Sequence, residues 1–301
     1  MMLPGLNLTA APGQRLATLD LAREIERRGF TSLSISSGFG TIGQCMGLAF
    51  ATRTISFASA IAPIYAQTVE EFAQSAAYLH EVSGGRFQFG IGIAHAPALV
   101  RMGVTPGKPL GDIRAFVKKF RSCTGFGPLP PVVLATLRKR MIALAAEIGD
   151  GMLFSSGCLS HMADSLSMVP AAKRNDPGFF IGNRVRVCLD PDPAVARGVL
   201  RQAMVHYALM PNYRHYWEES GYAEEMRAVA TALAEGRPDD VPRFLTDRFL
   251  NDTTLSGTAT QVRDGLEAWR AAGISSPVLV PLSADGSQIT ALRDVFAAFA
   301  N

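Results

Sequence analysis

Cysteine is scarce and scattered. Cys45, Cys123, Cys158 and Cys188 are the only four in 301 residues, and no two stand in a C-x-x-C pair. That spacing argues against a disulfide framework and a zinc site, and it fits separate thiols in a reducing, cytoplasmic compartment. No run of eighteen apolar residues occurs, so no membrane-spanning helix is expected. The opening residues, MMLPGLNLTAAPGQ, have no basic stretch followed by a long apolar core, so no secretory leader is expected. A dominant charge is missing too: 29 Lys and Arg against 26 Asp and Glu leave a formal +3, too evenly spread to point to nucleic acid.

Several catalytic signatures are also absent. There is no H-E-x-x-H, and the pairs His206/His215 and His80/Glu81 lack metal-ligand spacing, so no metal is expected. There is no G-x-S-x-G elbow, which lowers the case for a hydrolase. GVTPGK, from Gly103 to Lys108, is one residue short of a phosphate loop and is followed by Pro109 rather than Ser or Thr. Gly90-Ile91-Gly92 begins like a dinucleotide fingerprint, but His95 occupies the third glycine position and a Pro-rich loop follows.

What is present is a large apolar fraction, 48% hydrophobic against 18% charged, enough for one barrel-sized domain over residues 1–301. The chain is organised around SGGRFQFGIGIAH, Ser83 to His95: a helix end, a glycine stop, a buried strand and a glycine exit. The same period recurs. Short apolar or alternating runs at Leu3–Leu8, Thr31–Ser36, Thr54–Ile61, Phe87–Gly92, Val132–Ala135, Met152–Ser155, Val185–Leu189 and Val278–Pro281 read as strands. Helical patterns lie between them, and the helical excess from Ala194 to Ala272 reads as an insertion before the last strand. Pro97, Pro106 and Pro109 predict a long irregular loop over Ala94–Leu110. Eight buried strands alternating with helices predict an α/β fold of the (β/α)8 TIM-barrel type.

In such a barrel the residues just after each strand line the site. Here they are small, apolar or basic: Ala60, Ile61, Gly92 and His95, then Thr136 with Arg138, Lys139 and Arg140, then Ser155 and Ser156. That combination suits a flat aromatic cofactor with a phosphate tail. Arg138-Lys139-Arg140 falls where a helix should begin, so its charges oppose the helix dipole and a bound phosphate would remove the conflict.

These features carry a resemblance. Ala22 to Phe30 (AREIERRGF), Thr52-Arg53-Thr54-Ile55, the SGGRF and FGIG blocks, Ala145 to Gly151 (AAEIGDG), Ser256-Gly257-Thr258 and Ala271 to Ile274 together resemble the bacterial luciferase-like monooxygenase superfamily, from about residue 15 onwards. The resemblance implies a reduced flavin-type cofactor, FMN or the deazaflavin coenzyme F420. Met102-Gly103-Val104, Lys108-Pro109-Leu110 and Ile113-Arg114 look like the methylenetetrahydromethanopterin reductase branch, which favours F420. It further implies a non-prolyl cis peptide at Ala60-Ile61, a phosphate site at Thr136–Arg140, a small-molecule substrate and a homodimer. His95 is the only nearby acid, and it is the expected catalytic residue. Two departures stand out. Where many relatives have an acidic residue and a His after strand two, this chain has Ser36-Ser37-Gly38-Phe39, and Ser122 to Pro131 is shorter than usual. Three readings follow: F420-dependent hydride transfer, an FMN monooxygenase using oxygen, and a non-catalytic flavin-binding barrel. The roof of the site is expected from Phe39–Met46, Pro97–Leu110 and the insertion near Tyr207–Trp217.

Overall fold

A computed structural model describes residues 2–36 and 40–300. The strands are β1 (Gly5–Leu8), β2 (Ser32–Ile35), β3 (Ser56–Ser59), β4 (Ala62–Pro63), β5 (Phe87–Gly92), β6 (Val132–Ala135), β7 (Gly151–Ser155), β8 (Phe180–Cys188), β9 (Thr254–Ser256) and β10 (Ser276–Leu282). With helices between them the architecture is a (β/α)8 barrel, in which β4 and β9 are additions to the eight expected strands. The chain divides into two compact units, residues 1–154 with 168–182, and residues 155–167 with 183–301.

In the first unit β1, β2, β3, β5, β6 and β7 follow one another in a parallel sheet, with Leu33 beside Phe57, Phe57 beside Phe87, Phe89 beside Val132 and Leu134 beside Met152. Strand β5 shows how its sequence makes this work. Phe87, Phe89 and Ile91 share one face and are fully buried; Phe89 packs on Phe72 and Phe120 at centroid separations of 5.4 and 5.2 Å. Gln88, Gly90 and Gly92 form the other face, which carries little bulk. The helix ahead of it, Val69–Val82, is capped by Thr68 Oγ1, which accepts from the Glu71 amide at 3.2 Å. It ends in a Schellman turn: the Gly85 amide reaches His80 O at 2.8 Å and the Gly84 amide reaches Glu81 O at 2.9 Å. Gly84 and Gly85 have φ of 65° and 82°, a conformation that a side chain would oppose.

Three of the sequence blocks meet at the start of the strands. The Glu26 carboxylate accepts from the amides of Arg53, Thr54 and Ile55 at 2.6–3.1 Å. Arg86 of the SGGRF block donates to Ser83 O, Ile55 O, Ala49 O, Thr52 O and Thr52 Oγ1 at 2.8–3.1 Å. These side chains tie helix ends to strand starts.

In the second unit β9 lies parallel to β8, Val187 beside Leu255, and β10 also pairs with β8. Its core is aromatic: Trp217, Trp269, Tyr216 and Phe249 are essentially inaccessible, and Trp217 stands edge-on to Phe249 at 4.8 Å.

The structure revises several boundaries. The Ala94–Leu110 stretch contains a helix, Ala96–Met102, because Pro97 sits in its first turn, where a missing N–H costs nothing. Pro109 likewise opens the helix Pro109–Ser122, so the expected loop Ala94–Leu110 also ends in helix. The strand expected at Val185 begins at Phe180, and its arginines had disguised it. Strand β9 was unexpected, being three residues long beside a Gly. Strand three, expected as Thr54–Ile61, is Ser56–Ser59, followed by the separate β4. No helix of the described residues is long and apolar enough to cross a membrane.

Candidate active site

In the first unit the strand ends come together as small and apolar groups. The Ala60-Ile61 peptide is cis. The Ala60 amide donates to Ile35 O at 2.9 Å, and Ile64 N to Gly92 O at 3.0 Å, so the turn between β3 and β4 is held from both sides. Gly90 allows this: a Cβ there would stand 1.9 Å from Ser59 O, and the Ser59 hydroxyl already donates to Gly90 O at 2.8 Å. A Cβ at Gly92 would stand 3.0–3.1 Å from both the half-buried Ile61 side chain and the Ala135 methyl, so the glycine leaves room for both. Ile61 therefore offers an apolar surface beside the end of β5.

Next to Ala135, Thr136 is 6% exposed, its amide bound to Leu153 O at 3.0 Å. Its hydroxyl is buried and has no hydrogen-bond partner among the described residues. Arg138 is the N-cap residue of the helix Lys139–Ile148 and makes no side-chain cap; Arg138, Lys139 and Arg140 are all exposed. A buried hydroxyl lacking a partner beside a basic helix start fits a phosphate group.

His95 is half-buried and is the N-cap of the helix Ala96–Met102, its carbonyl accepting from Ala98 and Leu99 amides. Just before it Ala94 has φ 73°, an uncommon conformation for a residue with a Cβ. Sequence reasoning missed a polar group nearby on the strands. Asn7 Oδ1 accepts from Ser34 Oγ at 3.0 Å and Ser36 Oγ at 2.7 Å. The signal was there: Asn7 is a polar residue inside the apolar run of β1. Tyr65 and Asp112 were also missed. Tyr65 Oη donates to Asp112 Oδ2 at 2.5 Å, and burial, followed by the Asp112 carboxylate, raises that phenol's pKa. Asp112 also accepts from the Gly107 amide at 2.8 Å, fixing the GVTPGK loop. A cavity of about 380 Å³ lies between the helices Arg15–Arg27 and Thr41–Ala51, lined by Arg15, Thr18, Leu19, Gln44 and Leu48 among others. None of the expected catalytic or cofactor-binding residues lines it, whereas Gly40, Gly43 and Gln44 of the expected roof segment Phe39–Met46 do. The Ser37-Gly38-Phe39 part of the departure after strand two lies outside the described residues.

In the second unit the strand ends are polar and aromatic. Ser156, fully buried with φ 58°, follows β7. Its hydroxyl accepts from Arg186 Nη1 at 2.5 Å, and its carbonyl accepts from Trp217 Nε1 at 3.1 Å. Ser155 is half-buried and lies beside the Tyr213 phenol. The Cys158 amide donates to Tyr216 Oη at 3.0 Å, while Ser160 N and Oγ each donate to Asp252 at 2.7 Å. The loop after β7 is thus held by the helical insertion, through Tyr216, Trp217 and Asp252. None of these three was foreseen as a positioning residue.

The small, apolar strand ends and the basic turn after β6 sit at one edge of a (β/α)8 barrel. Residues 5–276 match the family model described as luciferase-like monooxygenase, and the chain belongs to that family. It is 26% identical over 263 residues to the 5,10-methylenetetrahydromethanopterin reductase of Archaeoglobus fulgidus, covering 77% of this chain and 78% of that protein. Among solved structures, the coenzyme F420-dependent tetrahydromethanopterin reductase of Methanopyrus kandleri superposes with a TM-score of 0.79 at 16% identity, covering 98% of this chain and 97% of that one. An F420-dependent secondary alcohol dehydrogenase superposes with a TM-score of 0.71 at 15% identity over the whole of both chains. The protein is an enzyme of this family, an oxidoreductase of the flavin or F420 type.

Proposed function

We propose that the enzyme works with coenzyme F420, transferring a hydride to or from a small organic substrate. When bound, the deazaflavin supplies or accepts that hydride, and the protein provides orientation and protons. Ala60 and Ile61, with Gly92 beneath, offer the apolar surface for a flat ring. The Thr136 hydroxyl, the amides opening the helix Lys139–Ile148, and Arg138, Lys139 and Arg140 hold the phosphate. His95 holds the proton exchanged with the substrate. The carrying observation is Thr136: a buried hydroxyl without a partner among the described residues, beside three exposed basic residues. The relatives that use F420 favour the deazaflavin; the family description favours FMN and oxygen as the second reading. The active form in this reading is a cytoplasmic homodimer.

A fluorescence titration of cofactor-free protein with F420 and FMN, each oxidised and reduced, tests it. Tight binding of F420 alone is the expected result. A preference for reduced FMN would replace hydride transfer by oxygen chemistry, and binding of neither would leave a non-catalytic barrel.

A further inference from the structure

The helices Arg15–Arg27 and Thr41–Ala51 flank the cavity of about 380 Å³ described above, a volume within the roughly 300–1,000 Å³ of small-molecule sites. Glycine is what leaves it open. Gly43 and Gly47 stand four residues apart, on one face of the second helix. A Cβ on Gly43 would meet nothing within 4 Å, so the space in front of it is clear. A Cβ on Gly47 would come to 3.1 Å from Leu19 Cδ2, so that glycine instead lets the two helices approach. Glycine within a helix is unfavourable, and here both glycines border the same cavity.

The walls divide by polarity. Leu19, Ile35 and Leu48 are apolar, and Ile35 and Leu48 are essentially inaccessible. Thr18 also lines the cavity, but its hydroxyl is spent on Gln14 O at 3.0 Å. Arg15 is the single charged residue among the described lining. It is exposed, and it opens its helix, where the dipole adds to its positive charge and no acidic residue of the first turn offsets it. The arginines further along that helix and at its end do have carboxylates: Arg23 pairs with Asp20, and Arg27 and Arg28 pair with Glu24. Arg15 has neither an ion pair nor a side-chain hydrogen bond among the described residues. On an open surface water alone would serve such a group. Here the guanidinium borders a cavity whose other walls are mostly apolar, so a carboxylate can bind it in a fork without burying the cation, while an attached hydrocarbon leaves water for the cavity.

We infer that this cavity binds a small carboxylic acid with a short apolar body, its carboxylate on Arg15 and its chain against Leu19, Ile35 and Leu48. The site is separate from the proposed cofactor surface, since neither Ala60, Ile61 and Gly92 nor the basic turn after β6 lines it. The two adjoin at one strand end, where Ile35 O accepts from the Ala60 amide at 2.9 Å, and they share no lining residue.

The test is calorimetric titration of the full-length, cofactor-free protein with hexanoate, with hexanol, which lacks the charge, and with acetate, which lacks the chain. Hexanoate should bind saturably and about tenfold or more tightly than either of the others. Gly43→Leu should abolish that binding by filling the open space, and it should not destabilise the protein, because leucine favours helix and its Cβ meets no neighbour. Arg15→Gln should weaken hexanoate about tenfold and leave hexanol unchanged, whereas Arg23→Gln, at a paired arginine of the same helix, should change neither. Absence of saturable hexanoate binding overturns the inference. So does equal affinity in a folded Gly43→Leu, or hexanol bound as tightly as hexanoate. Should the leucine variant fail to fold, Arg15→Gln decides, since Arg15 is exposed and unchanged hexanoate affinity there counts against the site. Neither F420 nor FMN should displace hexanoate; displacement by either would make the cavity part of the cofactor site and overturn its separateness. If neither cofactor binds the protein at all, the cofactor reading fails and hexanoate binding still upholds this one.

Discussion

The strand ends of the first unit and those of the second are built on opposite principles. In the first, side chains have been removed or kept apolar: Gly90 and Gly92 on β5, Ala60 and Ile61 after β3, Ala135 on β6, and one buried hydroxyl at Thr136 with no hydrogen-bond partner among the described residues. In the second, the exit of β7 is already occupied by polar partners: Ser156 is gripped by Arg186 and Trp217, and Arg186 stacks on Tyr207. A bare surface with one hydroxyl in waiting suits a ligand that brings its own ring and charge. The same contrast decides how each region should respond to substitution.

The largest effect is expected at Gly90. Gly90→Ala would put a Cβ 1.9 Å from the Ser59 carbonyl oxygen, a backbone atom that cannot give way without moving β3. A loss of about 3 kcal/mol or more, or failure to fold, should appear in urea unfolding. Gly198→Ala in the helix Pro193–Ala208 should have the opposite sign. Nothing lies within 4 Å of the added carbon, so a gain of up to about 1 kcal/mol is expected. If both changes behaved alike, the packing account of the first unit would fail.

Hydroxyl deletion should separate the two units next. Ser156→Ala takes away the acceptor that Arg186 uses and should cost about 2 kcal/mol. Thr136→Val removes a buried hydroxyl that no protein group uses, so stability should hold or rise by up to about 1 kcal/mol while cofactor affinity falls about tenfold. Chemical denaturation and cofactor titration on the same two variants check the pair, and a destabilised Thr136→Val would show that the hydroxyl serves the fold instead. A weaker effect is expected at His95, with His95→Gln lowering kcat by about a hundredfold and leaving cofactor affinity and stability near wild type.

How legible all this was in the sequence depends on which end of a strand is considered. The blocks that made the family recognisable, AREIERRGF, TRTI and SGGRF, turn out to place Glu26 and Arg86 at the strand starts, where they join helix ends to β3 and β5 by hydrogen bonds. Such contacts are local in pattern, a carboxylate or a guanidinium at fixed spacing from glycines and strand residues, so a linear reading finds them. β5 and β6 were read to the residue because short apolar runs are cut off sharply, β5 by glycines on both sides and β6 by prolines before it and a polar, basic turn after it. The strand exits were only half legible. Gly92 and Thr136 follow directly from strand position, whereas the grip of Trp217 on Ser156 joins residues 61 apart through a helical insertion that has no period to count. Arg184 and Arg186 hid because two charges in nine residues argue against a buried strand, although their alternation was the clue.

The mildest prediction tests the strand starts alone. Burial by itself would raise the Glu26 pKa, but the amides of Ile55, Thr54 and Arg53, with the Thr54 hydroxyl, more than reverse this, so the folded value lies below the ordinary 4.5. A depressed carboxylate stabilises the fold above its unfolded pKa, and that contribution fades as pH falls through the folded value. The urea midpoint should therefore decline on the acid side of about pH 4.5 in the wild-type protein and decline less steeply in Glu26→Gln, which keeps an acceptor but no charge. Because Glu26 binds the approach to β3 and not its exit, cofactor affinity should be the same in both proteins at neutral pH. A change in affinity would mean that the two ends of the strand are coupled, and the division between scaffold at the starts and chemistry at the exits would have to be abandoned.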